Sequence, residues 1–487
     1  MSFASAEMHA DPKRAFGLPP LCVDLDGTLI LSDLLLESLL LLIKRNPFYL
    51  LLVPFWLMRG RAVLKAEVAA RVALDPQELP YDKEFISWLE SERSAGRTLW
   101  LCTASNELLA RRVASHLGIF YGVLASDRNV NLAGSAKAML LAKRFGDGGF
   151  DYCGNERRDI EIWRRARGAI IVHGSRRLKL EVARHTAVLR TFPRRVNTLQ
   201  AIVRSVRPHQ WAKNALILVP LLTAHRLGEP AALVAGLLAT VVFCLCASSV
   251  YIANDLLDLA VDRAHPRKSK RPFAAGDISL LTGFTLAPSL LCAAMIIAAF
   301  LPTRFQLVLI TYYALTVAYS FVLKRVALID AITLAGLYTL RIIAGSAAVG
   351  TSPSFWLLSF SVFLFLSLAF VKRFAELDAL RRQQRLRAAG RDYEIPDLPL
   401  LQSLGIAAGY LSVVLLALYV HSPEVEGLYR RPEMIWIICV LMLYWISRVW
   451  MKTQRGQMHD DPVVFALRDR VSLLIGLATV IAVVLAI

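Results

Sequence analysis

Asn254, Asp255, Asp258 and Asp262 stand at the end of an apolar run of about twenty residues, and Arg267, Lys268, Lys270 and Arg271 follow at once. On a helix, Asn254, Asp258 and Asp262 recur at i, i+4 and i+8, and Asp255 lies three residues before Asp258, so four oxygen ligands share one sector. Carboxylates at a hydrocarbon edge are costly unless paired or metallated. Mg2+ held by one or two carboxylates completes its shell with substrate phosphates. The cluster therefore points to a substrate carrying a diphosphate; the bland alternative is a solvated helix end.

A second constellation lies near the N-terminus. Residues 21–23 read as a short buried strand that runs into Asp24-Leu25-Asp26-Gly27-Thr28. Spacing of two along extended chain sends the Asp24 and Asp26 carboxylates the same way, and Gly27 frees the backbone to turn. One carboxylate can attack phosphorus while the other donates a proton to the leaving oxygen, with Mg2+ shielding their repulsion. Another apolar strand, residues 98–102, ends in Thr103-Ala104-Ser105.

The elements that must position these groups fall into two classes. Of 487 residues, 56% are apolar, well above soluble proteins. Residues 1–210 read as largely soluble, whereas 211–487 form a succession of long apolar stretches. Nine spans are expected near 211–225, 232–253, 280–301, 305–322, 327–349, 355–371, 402–421, 434–452 and 469–487. With the soluble part cytoplasmic, the loops on its side hold about sixteen Lys or Arg and the opposite loops about four, the bias of a cytoplasmic face. The net charge of +18 gathers beside membrane segments and in residues 157–195. That distribution indicates anionic membrane lipid, not nucleic acid, as the partner. Seven scattered cysteines without a paired spacing indicate neither disulfides nor zinc, and the first twenty residues lack the apolar core of a secretory signal.

The N-terminal motifs resemble the haloacid dehalogenase (HAD) superfamily, whose signature is DxDGT. The resemblance implies an α/β Rossmannoid phosphatase domain over residues 1–195 with a helical cap at about 33–95. It also implies that Thr103 holds the phosphoryl group, that Lys137 neutralises charge, and that Asp24, Asp26, Asn155 and Asp159 hold Mg2+. Asn155 replaces the first acid of the usual GDxxxD motif. Residues 34–58 are strongly apolar but each half is too short to span, so the cap is read as lying on the bilayer. Residues 196–210 are read as a linker or interfacial helix.

Residues 205–487 resemble the UbiA superfamily of intramembrane prenyltransferases, an all-α polytopic fold. The resemblance implies that Asn254, Asp255, Asp258 and Asp262 hold Mg2+ on a diphosphate, with Asp255 and Asp258 essential, and that Lys268, Lys270 and Arg271 meet phosphate oxygens. Where that superfamily commonly carries a second DxxxD cluster, this chain has Lys372-Arg373-Phe374-Ala375-Glu376. With Lys213 and Asn214 before the first span, and the Arg455-to-Pro462 loop before the ninth, the pattern is similar to the polyprenyl-phosphate phosphoribosyltransferase branch. That branch implies transfer of 5-phosphoribose from 5-phosphoribosyl diphosphate to polyprenyl phosphate. Lys372, Arg373, Glu376, Lys324, Arg341 and Asp461 are the further candidates for substrate. Asp460 shares the last loop. The alternatives are prenyl transfer to an aromatic acceptor and a non-enzymatic lipid-binding protein.

Overall fold

The computed structural model describes residues 18–194, 196–383, 391–422, 429–458 and 461–486; Asp460 and His459 lie outside them. Contacts divide the chain into two units. One comprises Met1–Ser205 with Ile252–Thr285, the other Val206–Tyr251 with Leu286–Ile487.

The first unit carries a six-stranded, wholly parallel sheet in the order β3-β2-β1-β4-β5-β6. The strands are β1 (Leu21–Val23), β2 (Leu99–Asn106), β3 (Gly122–Ser126), β4 (Asp151–Gly154), β5 (Gly168–Val172) and β6 (Ala187–Phe192). The central strands are apolar at consecutive positions because helices cover both faces of a parallel sheet. Leu21, Val23, Leu99 and Leu101 pack with Phe85 and Leu89 on one face. Cys22, Trp100 and Tyr152 pack with Leu141 and Trp163 on the other. This is the α/β architecture expected for the N-terminal domain, and its candidate residues gather at the carboxyl ends of adjacent strands, where open parallel sheets bind ligands.

Between β1 and β2 lie α1 (Leu34–Arg45), a 3-10 turn (Pro47–Leu51), α2 (Val53–Met58) and α3 (Arg61–Ala69). Leu42, Trp56, Leu64, Val68 and Val72 give this layer its own small core. The reading of the whole stretch 34–58 as lying on a bilayer is corrected for α1, whose Leu34, Leu40 and Leu42 are buried in protein.

In the helical part of the chain, six helices are long and apolar enough to cross a membrane among the described residues: Pro230–Leu257, Leu280–Ala298, Ile329–Val349, Phe355–Arg382, Ile395–Val420 and Ile435–Gln454. A bent pair, Pro462–Arg468 and Arg470–Ala486, makes a seventh if taken as one span. The expected nine are thus corrected to six or seven. Residues 211–225 fail as a span for a local reason: Pro208 and Pro220 interrupt regular hydrogen bonding, giving a 3-10 stretch (Pro208–Leu218) and a five-residue helix (Val219–Thr223). Lys213 and Asn214 within it are buried and hydrogen-bonded in protein. Residues 305–322 do form a helix, Thr303–Phe321, that falls outside the spanning set. The bend of 79° in the last pair is built by Asp469, which is extended and caps the following helix through Ser472 N at 2.9 Å. Arg448 Nη1 donates to the same carboxylate at 2.7 Å.

Candidate active sites

At the end of β1, Asp24 Oδ1 accepts a hydrogen bond from Lys137 Nζ at 2.8 Å. Lys137 lies in the first turn of the helix Ser135–Phe145 and is nearly inaccessible. Its Nζ also donates to Tyr152 Oη at 3.0 Å, and Tyr152 donates in turn to Asp159 Oδ1 at 3.2 Å. Burial pulls the Lys137 ammonium down, but Asp24 and Asp159 outweigh it and hold its pKa above the ordinary lysine value. Asp159 Oδ2 accepts the backbone N–H groups of Asn155 and Glu156, each at 3.0 Å. Its carboxylate is therefore committed to holding the loop that carries Asn155. Burial and Asp24 push the Asp159 pKa up to about 6.

The two aspartates of the N-terminal motif take different partners. Asp26 Oδ1 accepts from Leu34 N at 2.7 Å, and Oδ2 accepts from Ser105 Oγ at 2.6 Å. Burial, reinforced by Asp33 and Asp24, raises the Asp26 pKa to about 7 against the bond from Ser105. A carboxyl poised there can hold and release a proton. Thr103 is fully buried and fixes Ser105 through a bond from Ser105 N to its Oγ1 at 3.0 Å. Sequence reasoning missed Ser105, Tyr152 and His173. His173, just past β5 with φ of 55°, puts Nε2 2.8 Å from Asp82 and Nδ1 3.3 Å from Gly27 O. No local motif marks it, because its partners come from distant segments.

Asn155 Oδ1 is buried without a hydrogen-bond partner, and the Asn155 amide lies against the place a Cβ on Gly27 would fill. Gly27, at φ +70°, cannot be replaced without strain. Such an orphaned acceptor costs about 1–3 kcal/mol unless something occupies it. A hard cation at that oxygen would satisfy it, so Asn155 fits a Mg2+ ligand despite the missing acid.

The acidic motif of residues 254–262 departs from a continuous helix. The helix Pro230–Leu257 ends just before Asp258, whose φ and ψ of −104° and 17° start a separate helix, Leu259–Ala264. Asp255 and Asp262 converge on one guanidinium nitrogen, Arg271 Nη1, at 3.1 and 2.6 Å. Asp258 turns instead to Lys44 Nζ at 3.4 Å. The helical hydrogen bonds nevertheless continue through this point, from Asp258 N to Asn254 O at 2.9 Å and from Asp262 N to Asp258 O at 2.8 Å. Among the described residues no three His, Cys, Asp or Glu side chains gather as a metal cluster. Asp255 and Asp262 nevertheless already hold one positive nitrogen between them, and two carboxylates with substrate oxygens suit Mg2+. Asn254 is half-buried on the preceding turn, and Lys268 and Lys270 form the 3-10 turn before Arg271.

In the second unit, Asp461 Oδ2 accepts from Lys213 Nζ at 2.7 Å and from Lys372 Nζ at 3.0 Å, and Oδ1 accepts from Val463 N at 3.1 Å. Lys213 Nζ also lies 5.8 Å from the Tyr338 ring centre. Asn214 Oδ1 accepts from Arg341 Nε at 2.9 Å, and Arg341 Nη2 donates to Tyr312 Oη at 2.9 Å. Five sequence candidates, Lys213, Asn214, Arg341, Lys372 and Asp461, thus form one connected group.

Arg373 and Glu376 do not join it. One residue further round the helix Phe355–Arg382, Arg373 is buried against Asp330, and Nη2 donates to Tyr319 Oη at 3.0 Å. Glu376 is taken up by Arg373 Nη1 at 2.5 Å and by Arg391. Both side chains are thus paired within the protein. Lys324 sits in the turn Leu323–Arg325.

Residues 215–471 match the UbiA prenyltransferase family. The uncharacterised protein y4nM of Sinorhizobium fredii is 38% identical over 94% of this chain and 89% of its own. Nodulation protein NoeC of Azorhizobium caulinodans is 38% identical over 56% of this chain and 89% of its own. Decaprenyl-phosphate phosphoribosyltransferase of Mycolicibacterium smegmatis is 32% identical over 58% of this chain and 91% of its own. Among solved structures, a UbiA homologue from Archaeoglobus fulgidus, with GPP and Mg2+, aligns at TM-score 0.46 and 16% identity over 58% of this chain and 99% of its own. The chain is a multi-pass membrane protein and belongs to the UbiA prenyltransferase family.

Proposed function

We propose that this chain transfers 5-phosphoribose from 5-phosphoribosyl diphosphate to a polyprenyl phosphate, and that its N-terminal domain removes the 5-phosphate from the lipid-linked product. The observation that carries the first half is the 30–32% identity to decaprenyl-phosphate phosphoribosyltransferases over about nine-tenths of their length. The basic character of Lys372-Arg373, where prenyl-transferring members carry acids, supports the same reading.

In this reaction a lipid phosphate oxygen attacks the anomeric carbon as its bond to pyrophosphate breaks, and pyrophosphate departs with both bonding electrons. Bound Mg2+ neutralises charge developing on that leaving group. Asn254, Asp255, Asp258 and Asp262 would hold the metal, and Lys268, Lys270 and Arg271 would bind phosphate oxygens. Opening the Asp255–Arg271–Asp262 bridge on substrate binding frees two carboxylates and one guanidinium together. Lys213 and Lys372 supply ammonium groups for a further phosphate, with Asp461 fixing their positions. Both sites are proposed to face the cytoplasm of a bacterial inner membrane.

In the phosphatase step, Asp24 attacks the 5-phosphate phosphorus, its bond to the ribose oxygen breaks, and Asp26 protonates that oxygen. Water then cleaves the acyl phosphate with Asp26 as base. Thr103 and Lys137 hold the phosphoryl oxygens, and Asp159 holds the loop of Asn155. The resemblance to the haloacid dehalogenase superfamily and the Asp24–Lys137–Tyr152–Asp159 chain support this reading.

The test is the mass of the lipid product formed from polyprenyl phosphate and 5-phosphoribosyl diphosphate with Mg2+. Wild-type protein should yield the ribosyl lipid, and Asp24→Asn protein the same lipid heavier by one phosphate. Full dephosphorylation by Asp24→Asn would sink the second half of the proposal.

A further inference from the structure

The tip of the cap has apolar residues on both of its faces. Tyr49, Val53 and Trp56 turn inward onto the small core of α1 and α3. A surface helix of this kind ordinarily presents polar residues on the opposite side. Here that side carries Phe48, Leu51, Phe55 and Met58, exposed by 76%, 75%, 53% and 86%. Elsewhere on the same sheet domain, exposed apolar residues such as Leu108, Met139 and Leu180 belong to separate helices, the scatter normal for a protein surface. A contiguous patch is not normal, and it needs an occupant.

The charge around the patch identifies that occupant. Arg45 precedes it, and Arg59 and Arg61 follow it, all exposed, with no acid between residues 38 and 66. Arg59 lies over the Phe55 ring with its guanidinium 4.9 Å from the centroid, so it can reach outward while its stem covers apolar surface. Large apolar side chains rimmed by arginine match the interface of an anionic bilayer, where the rings and methyls enter the acyl boundary and the cations meet lipid phosphates. The twelve residues Pro47–Met58 extend about 20 Å as a 3-10 turn and helix against a hydrocarbon core of about 30 Å. They lie in the interface and do not cross it. The chain already spans a membrane, so the tip needs no separate recruitment.

We infer that residues 48–58 are a monotopic membrane anchor, through which the cap of the N-terminal domain dips Phe48, Leu51, Phe55 and Met58 into an anionic lipid leaflet. This does not depend on the reaction proposed above. Its consequence is that the cap over Asp24 opens at a lipid surface, which restricts the phosphatase site to phosphates carried on lipid or delivered along the membrane.

The experiment uses the full chain in nanodiscs of phosphatidylcholine and phosphatidylglycerol. With Cys292→Ser removing the exposed native thiol, Met58→Cys and, separately, Leu180→Cys are labelled with the same environment-sensitive fluorophore. The expected result is quenching of the Met58 label by nitroxide-bearing lipid at least roughly threefold stronger than at Leu180, with the opposite order for aqueous iodide. Arg59→Glu with Arg61→Glu should reduce the lipid quenching. Iodide quenching at Met58 equal to that at Leu180 would overturn the inference by leaving the tip in water. Protection from both quenchers would overturn it in favour of a protein occupant. Unchanged lipid quenching in the arginine variant would overturn the anionic-lipid assignment.

Discussion

Lys213 Nζ lies 2.7 Å from Asp461 Oδ2 across 248 residues of chain, and both side chains are about nine-tenths buried. Lys372 shares the same oxygen. A buried carboxylate between two ammonium groups orders them at fixed spacing, as a phosphate site requires. Asp461→Asn should lower transfer roughly tenfold or more, and a double-mutant cycle with Lys213→Gln should be non-additive by about 0.5–3 kcal/mol. Additive losses would mean that the two residues act separately.

Neighbouring Lys372 and Arg373 should separate function from stability. Arg373 is buried against Asp330, so Arg373→Met strands a charge and should destabilise the protein by about 3–5 kcal/mol. Lys372 is one-third exposed, so Lys372→Ala should cost at most about 1 kcal/mol while lowering transfer. Thermal midpoints in detergent, compared with initial rates, check both.

The acidic motif should be separable from the phosphatase site. Asp255→Asn and Asp262→Asn should each remove lipid labelling, as should chelation of Mg2+. Hydrolysis of a soluble phosphomonoester should survive both substitutions. Conversely, Asp24→Asn should lower that hydrolysis by roughly a thousandfold or more and spare transfer. Loss of both activities from a single substitution would contradict two independent sites.

Asn155→Asp tests the metal reading of the orphaned amide oxygen. A carboxylate there adds a charged ligand beside Asp24, so the Mg2+ concentration giving half-maximal hydrolysis should fall. A rise would place the metal elsewhere.

The proton on Asp26 sets a pH dependence. Its pKa is raised to about 7, so the acid form dominates below that pH and is lost as pH rises through it. The step that protonates the leaving oxygen should therefore slow above about pH 7, with Asp26→Asn flattening that limb. Ser105→Ala removes a hydrogen bond that favours the carboxylate, so it should move the limb to higher pH.

Much of this was legible in sequence because it rests on local rules. Apolar runs mark β1 and β2, DxDGT marks the end of β1, and Asn254 to Asp262 mark the acidic motif. What escaped depends on partners from afar. A helical spacing rule cannot foresee that Asp258 pairs with Lys44. Nor can the run of residues 372–376 reveal that Arg373 is neutralised by Asp330, forty-three residues earlier, while Lys372 turns to Asp461. The count of spans failed at residues 211–225, where apolar composition alone ignored Pro208 and Pro220, and at residues 305–322, whose helix falls outside the spanning set.

The most direct measurement is the partition of ribose label from 5-phosphoribosyl diphosphate into the organic phase, using purified protein, Mg2+ and polyprenyl phosphate. The account predicts label in lipid, dependent on Asp255, and none when polyprenyl phosphate is omitted. No lipid label, with prenylation of an aromatic acid from a polyprenyl diphosphate instead, would contradict it.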